Sequence, residues 1–151
     1  MLRQRLNDTL KSAMLGRDKR TVSTVRLILA ALKDRDIAAR SRGVTDGIGE
    51  EEILQMLQSM LKQRRESIAL YEQGGRLELA QQESEEIDII HRFLPAQLSD
   101  AELAEAVEET IAEIGGQSLK DMGRTMAALK ERYAGRMDFT KASAVVKQQL
   151  G

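Results

Sequence analysis

A single proline, Pro95, is the feature that most restricts how this 151-residue chain can fold. Proline interrupts the interior of a helix, so a chain with only one proline has room for long helices on either side of it. Strands draw on aromatic and β-branched residues, yet aromatic residues make up only 3% of this sequence. Leucine, alanine, glutamate, glutamine, lysine and arginine, which are good helix formers, recur throughout. The sequence therefore predicts an all-α fold.

Two helices are predicted in the first third of the chain. Leucine or methionine recurs every fourth residue from Leu2 to Met14, which indicates one apolar stripe on a helix over residues 2–15. Gly16 is predicted to end that helix as a C-cap. A second helix is predicted over about residues 18–39. Residues 41–49 have no apolar period and form a polar, glycine-rich loop in this interpretation.

Two more helices are predicted before the proline. Three consecutive glutamates begin the third helix at Glu50, where negative charge suits the N-terminal end of the helix dipole. The pair Gly74–Gly75 ends it. The fourth helix carries apolar residues from Leu77 to Phe93 and closes at Pro95, because the residue before a proline avoids the helical conformation.

The best domain boundary is the segment from Pro95 to Ser99. Ser99 and Glu102 have the spacing of a capping box, in which serine and glutamate satisfy each other's free backbone N–H groups at a helix start. Glycine pairs and further capping residues divide the rest into three short helices, which favours a small helical bundle. These helices are predicted over about residues 100–114, 118–133 and 139–150. The predicted domains are an N-terminal helical domain of about four helices, residues 1–95, and a C-terminal three-helix domain, residues 96–151.

Most catalytic chemistry is excluded by residue content. The chain has no cysteine and one histidine, His91, which removes thiolate metal sites, cysteine nucleophiles and most histidine-based chemistry. Phosphate-loop, zinc-protease and serine-elbow motifs do not occur. Asp88 and His91 have the one-turn spacing found in di-iron bundles, but such sites need that spacing on two helices. We therefore assign no catalytic residue, no metal site and no cofactor.

Charge and hydropathy bear on the cellular location of the chain and on whether it binds membranes or nucleic acid. The longest apolar run, Leu27 to Leu32, is too short to span a bilayer, and residues 1–8 lack the apolar core of a signal peptide. A cytoplasmic protein without membrane contact is expected. The net charge is −1, so only local patches, and not the overall charge, could bind nucleic acid.

A buried ion pair is predicted between the third and fourth helices. Arg64 falls within the apolar stripe of the third helix, and an unpaired buried guanidinium would be costly. Glu83 has a comparable position in the stripe of the fourth helix. The pair is interpreted as a structural contact across a helical hairpin, and a substrate-binding pair is the alternative.

The C-terminal domain has a strongly uneven charge pattern. Residues 99–114 carry six acidic and no basic side chains, whereas residues 115–151 carry seven basic against three acidic side chains. A phosphate-binding face on the last two helices is one interpretation, and a solvated surface that binds nothing is the other. The candidate RNA-binding residues are Lys120, Arg124, Lys130, Arg132, Arg136, Lys141 and Lys147.

Three motifs in order along the chain resemble the GatB/YqeY family, and specifically its small stand-alone YqeY-like proteins. The first motif lies in the predicted third helix, the second spans the predicted domain boundary and the third begins the sixth helix. They are Lys62–Ile68 with Tyr71–Glu72 and Gly75–Arg76, Glu86–Ile87 with Phe93–Ser99, and Lys120–Gly123 with Met126. The resemblance runs from the first helix to Leu150.

This resemblance implies a C-terminal domain similar to the tail of the B subunit of the tRNA-dependent amidotransferase. That enzyme is a carbon–nitrogen ligase with glutamine as amido-N-donor, and its tail holds the body of the tRNA. The cradle and amidase parts that carry out the chemistry have no counterpart in this sequence. The resemblance therefore implies a tRNA-binding accessory module related to the amidotransferases rather than a complete enzyme.

Within the tail-like domain, the resemblance covers Gly123, Met126, Gly135, Arg136 and Asp138. A glycine inside a helix costs about 1 kcal/mol relative to alanine, so a close backbone approach or a ligand contact is expected at the first of these positions.

Two other functions remain open. The chain could be a protein-interaction module that docks through exposed apolar helix faces without binding RNA, or an enzyme whose site is completed by a partner. The expected partners are accordingly tRNA, an amidotransferase or another protein. The chain itself is expected to be a monomer.

Overall fold

The computed structural model describes residues 1–151 as seven α-helices without a strand. The predicted all-α class, with four helices before the proline and three after it, is confirmed. None of the helices is both long and apolar enough to cross a membrane. The helices are α1 (Leu2–Leu15), α2 (Lys19–Arg40), α3 (Glu50–Gln73), α4 (Leu77–His91), α5 (Asp100–Ile114), α6 (Met122–Arg132) and α7 (Phe139–Leu150).

The chain divides into two compact units, residues 1–95 and residues 96–151. In the N-terminal unit, α3 packs along α4, and α2 contacts α1, α3 and α4. In the C-terminal unit, α5, α6 and α7 all pack on one another. Each unit has its own aliphatic core, as one-face burial of helices requires. The most deeply buried side chains include Leu6, Ile28, Ile53, Leu57, Leu61 and Ile90 in the first unit, and Val107, Leu129, Met137 and Val146 in the second.

Capping residues account for where the C-terminal helices begin. Ser99 and Glu102 form both bonds of the predicted capping box, at 3.1 Å and 3.0 Å. Ser118 caps a short 3₁₀ turn, Leu119–Asp121, which leads into α6. Asp138 accepts a hydrogen bond of 2.8 Å from the backbone N–H of Thr140 and so caps α7. These side chains satisfy donors that the first helical turn leaves free.

The end of α4 differs from the sequence prediction. The helix stops at His91, and Phe93 lies beyond it in a tightened turn whose N–H groups bond three residues back. Pro95 explains this early end, because a proline forces the preceding residue out of the helical conformation. Phe93 is still buried, and the Arg5 guanidinium lies 5.6 Å from its ring centroid. Arg5 also donates to the carbonyl of Arg92 at 2.8 Å, so α1 holds this turn in place.

A bidentate ion pair ties α1 and α2 to the loop before α3. The Arg3 guanidinium donates to both carboxylate oxygens of Asp36, at 2.7 and 2.8 Å, and to the carbonyl of Ile48 at 2.9 Å. The Ile48 N–H in turn donates to Asp36 at 2.9 Å. The hydrogen bonds from Arg3 dominate the lowering of the Asp36 pKa to about 2. Ile48 is 4% exposed and belongs to the core, which the sequence interpretation of residues 41–49 as a polar loop did not foresee.

Gly47 makes this ion pair possible, and a substitution there tests it. Its φ of +90° lies in the left-handed region, and a Cβ would stand 2.6 Å from Nη2 of Arg3. We expect Gly47→Ala to lower the free energy of unfolding in urea by about 2 kcal/mol, since it adds backbone strain and displaces the guanidinium.

Gly43→Ala is the matched control for this variant. Gly43 has a φ of +83° but no atom within 4 Å of its Cβ position, so it reports the backbone strain alone. If the two variants lose the same stability, the contact between Gly47 and Arg3 does not matter for the fold.

Candidate functional site

The predicted ion pair between α3 and α4 is a cluster of three charges. Arg64 Nε lies 3.2 Å from an oxygen of Glu86 and 3.9 Å from an oxygen of Glu83. The Arg64 side chain is 13% exposed, and those of Glu86 and Glu83 are 7% and 20% exposed. The predicted pairing across the hairpin is confirmed, but the nearer and deeper partner is Glu86. Glu83 and Glu86 are three residues apart on α4, so both reach the same guanidinium.

One guanidinium facing two carboxylates leaves the cluster with an excess negative charge. Burial raises the pKa of Glu83, and repulsion from Glu86 raises it further, against the attraction of Arg64. A carboxyl group with a raised pKa beside a second carboxylate is the arrangement from which acid–base sites are built. The contacts of Arg64 with α4 fit the structural interpretation, because they join the two helices of the hairpin. The substrate-binding alternative stays a prediction.

Removing Arg64 should leave two buried carboxylates without a counter-charge. We expect Arg64→Ala to lower the free energy of unfolding by about 3 kcal/mol, as breaking a buried pair does. Arg65→Ala is the control, because Arg65 is exposed and forms no ion pair. Equal melting temperatures for the two variants would contradict a structural role for the cluster.

The raised pKa of Glu83 predicts a specific pH dependence. A carboxyl group whose pKa is higher in the folded state stabilises the fold while it is protonated, and that stability is lost as the pH rises through the folded pKa. We expect Glu83→Gln to be more stable than the natural protein at pH 7.5, with the difference shrinking toward pH 4.5. Urea unfolding at both pH values measures it. A difference that is independent of pH would show that Glu83 does not titrate in the folded protein as proposed.

His91 lies in the last turn of α4. It is half-buried, and burial together with the charge of Arg65 lowers its pKa. A lowered pKa keeps the imidazole neutral at pH 7. The structure contains no group of three or more histidine, aspartate or glutamate side chains placed to hold a metal ion.

In the C-terminal unit, three of the seven candidate RNA-binding residues are paired with carboxylates. Arg124 bonds Asp121 at 2.8 Å, Arg132 is paired with Glu113, and Lys141 lies 3.5 Å from Asp100. The last two carboxylates belong to α5, so the acidic helix neutralises part of the basic charge that follows it in sequence. These pairs are exposed, and such pairs are weak enough to exchange partners.

Arg136 has a structural position. Its Nε donates to the carbonyl of Ala96 at 3.1 Å, its guanidinium lies 5.8 Å from the ring centroid of Tyr133, and its carbonyl accepts from Leu98 at 2.8 Å. The neighbouring Gly135 is buried, with a φ of +75° and a carbonyl that accepts from a side-chain amide. This motif therefore holds the turn between α6 and α7 against the start of the unit. Met126, also part of the family motif, packs against the core.

Lys120, Lys130 and Lys147 are exposed and form no ion pair. On α6, Gly123, Ala127 and Lys130 are spaced i, i+4 and i+7, so they form one exposed column along the helix. Arg124 lies beside this column, and Lys120 lies in the turn just before it. We call this surface, made of Lys120, Gly123, Arg124, Ala127 and Lys130, the α6 face. Lys147 lies apart from it, in the last turn of α7.

The surroundings of Gly123 test one of the two explanations given for a glycine at this position, a close backbone approach or a ligand contact. A Cβ at this position would have no atom within 4 Å. A close approach of the protein's own backbone is therefore not the reason for a glycine here. A contact with a ligand at Gly123 stays a prediction.

Comparison with known proteins assigns the family. A family model described as Yqey-like protein matches residues 3–150. The chain belongs to the YqeY-like family. This match covers both units, so neither unit is an unrelated addition.

Curated relatives of the family member are fungal proteins named altered inheritance of mitochondria protein 41, mitochondrial. The protein from Eremothecium gossypii is 34% identical over 91 residues, which is 60% of this chain and 48% of that protein. The one from Lachancea thermotolerans is 29% identical over 112 residues, 72% of this chain and 57% of that protein. The one from Clavispora lusitaniae is 32% identical over 108 residues, 70% and 59% of the two chains. The chain thus spans about half the length of these relatives.

Proposed function

We propose that this YqeY-like protein is an RNA-binding accessory module whose α6 face contacts the phosphate backbone of a folded RNA such as tRNA. The observation that carries the proposal is the combination of uncovered cations and an open helix surface. Lys120 and Lys130 form no ion pair, and the guanidinium side chain of Arg124 remains 61% exposed beside Asp121. Cations without a partner in the protein are free to neutralise phosphates and release counter-ions.

The small residues between these cations support a backbone contact. Gly123 and Ala127 are exposed and have no long side chain that projects from α6, and a Cβ at Gly123 would meet no atom within 4 Å. An extended polyanion can therefore approach the helix itself, while the longer lysine and arginine side chains reach along its flanks. The resemblance of this unit to the amidotransferase tail agrees with that use.

The lack of exposed aromatic residues in the C-terminal unit favours recognition of RNA shape over recognition of RNA bases. The C-terminal unit contains only Tyr133 and Phe139, and both pack against its core. Single-stranded nucleic acid is bound largely by stacking on exposed aromatic rings. A surface that offers only charge selects a folded RNA by its shape and backbone.

The ligase chemistry of the related amidotransferases is not part of this proposal. In our proposal the chain contributes binding, and any amide transfer takes place on a separate enzyme that carries the cradle and amidase parts. The names of the fungal relatives describe those proteins as mitochondrial. For this chain, the cytoplasmic address and the monomeric state stay predictions.

Charge removal on the α6 face should abolish binding of unmodified tRNA. The test variant is Lys120→Glu with Arg124→Gln and Lys130→Glu. Arg136 is left intact because it holds the fold. We expect the natural protein to bind with a log–log salt slope of roughly −2 to −4, which corresponds to about three to five phosphates. Binding is measured by filter retention or anisotropy over a salt series.

Two controls make this test specific. Lys11→Glu with Lys33→Gln and Lys62→Glu changes the net charge equally at exposed, unpaired lysines of the N-terminal unit, and it should retain most of the affinity. Gly123→Gln changes no charge and fills only open space, so it should weaken binding without loss of helical circular dichroism. If the lysine control abolishes binding and the α6 variant does not, the α6 face is the wrong surface. If the natural protein binds no tRNA at low salt, the RNA proposal fails and a protein-interaction module is favoured.

A further inference from the structure

A groove runs between the end of α1 and the first turns of α2. It has a volume of about 440 Å³. We call it the α1–α2 groove, and its lining is Met14, Arg17, Lys19, Val22, Ser23 and Arg26. No residue of the groove belongs to the C-terminal unit.

The apolar part of this groove comes from the end of the first apolar stripe. Leu2 and Leu6, at the start of that stripe, are 3% and 0% exposed, whereas Met14 is 51% exposed. The stripe therefore extends beyond the core, and its last member lines the groove together with half-buried Val22. Leu15, the chain neighbour of Met14, is 87% exposed.

The rim of the groove is positively charged. Arg17, Lys19 and Arg26 form no ion pair within the protein. The one acidic residue in this stretch of chain, Asp18, accepts hydrogen bonds from the N–H and hydroxyl of Thr21 and is used as the cap of α2. Glu85, which lies near Lys19 and Ser23, is paired with Arg20. The groove thus offers three cations that form no ion pair, above an apolar floor.

The backbone at Arg17 supports a role for this rim. Gly16 is the C-cap of α1, as predicted, with a φ of −82°, and the residue after it, Arg17, has the left-handed φ of +55°. The left-handed conformation costs a residue with a Cβ about 1–2 kcal/mol, and a glycine does not have this cost. The cost is explained if the guanidinium is needed at the groove.

We propose that the α1–α2 groove is a docking site for an acidic amphipathic helix of another protein. Helices that dock into grooves place apolar anchors at intervals of about one turn. Here an aliphatic anchor would lie against Met14 and Val22, and carboxylates beside it would meet the three cations of the rim. Charge complementarity of this kind selects acidic partners and speeds their association.

Other occupants fit the groove less well. A phosphate backbone would satisfy the cations but leave the apolar floor without a contact, and no aromatic residue lines the groove for a base to stack on. A bilayer surface is flat on this scale and does not enter a concave site between two helices. A second copy of the chain would have to offer an acidic helix with several apolar anchors. The acidic α5 exposes no large hydrophobic residue, and the acidic α4 exposes only Leu77, its first residue.

The test uses the full chain and a synthetic helical peptide of about 18 residues. The peptide carries leucines at i, i+3 and i+7, the spacing of groove-binding helices, with glutamates on both sides of them. Two companion peptides replace either the leucines by alanine or the glutamates by lysine. Fluorescence anisotropy is expected to show that each companion binds at least about tenfold more weakly, a difference of about 1.4 kcal/mol.

Variants of the protein locate the binding site. Lys19→Glu with Arg26→Glu should weaken binding of the acidic peptide at least about tenfold and improve binding of the lysine peptide. Both residues are exposed on α2, and an acid is favoured in its first turn, so the fold should be retained. Met14→Gln should weaken binding without a change in charge. The matched control, Lys33→Glu with Lys62→Glu, should bind as the natural protein does.

Several results would overturn the proposal. If the alanine peptide binds as tightly as the leucine peptide, the groove is a site for any polyanion. If the matched control loses affinity for the acidic peptide, the attraction is a non-specific effect of net charge. Binding of tRNA or of phosphatidylserine vesicles that Lys19→Glu with Arg26→Glu removes would assign the groove to those ligands. Sedimentation that shows self-association abolished by Met14→Gln would assign it to a second copy. Absence of peptide binding at millimolar concentration would also reject it. Loss of tRNA binding in Lys19→Glu with Arg26→Glu would also count against the α6 face as the RNA-binding surface. The other results do not bear on that face, which lies in the other unit.

Discussion

A guanidinium buried between two helices needs a carboxylate within reach, and this requirement couples α3 to α4. Arg64 meets it with Glu86 at 3.2 Å and with Glu83 at 3.9 Å. Because both carboxylates come from one helix, the contact restrains the rotation of α4 about its axis as well as its distance from α3. The apolar side chains on the same faces then form one core with α2, which packs on both of these helices.

Charge has different functions in the two units. In the N-terminal unit, Arg3 and Arg5 hold the loop before α3 and the turn after α4. Together with Arg64, these cations serve the fold. In the C-terminal unit, the acidic α5 pairs with Arg132 and Lys141. On the α6 face, Arg124 is paired with Asp121, and Lys120 and Lys130 form no ion pair. A net charge near zero therefore conceals two positively charged surfaces with different neighbours. One has small residues at its centre and suits a phosphate backbone, and the other has an apolar floor and suits a protein helix.

The sequence predicted the helices and their caps well because these depend on neighbours within a few residues. The capping box at Ser99 formed as predicted. The nearer partner of Arg64 was harder to predict, because the burial of Glu83 and Glu86 depends on the rotation of α4 relative to α3. The core position of Ile48 had no periodic signal, because it arises from a hydrogen-bonded contact with residues far away in the chain.

The sequence by itself therefore determined the all-α class, the order of the helices and the membership of Arg64 in a buried ion pair. These follow from helix propensity, apolar spacing and the cost of burying an unpaired charge, all of which can be judged locally. Only the tertiary structure decided which cations remain uncovered and that Met14 lies outside the core. It also decided that Arg17, and not Gly16, takes the left-handed conformation. Those outcomes depend on distances between residues separated along the chain and on how the chain turns between α1 and α2, neither of which the spacing of residues specifies.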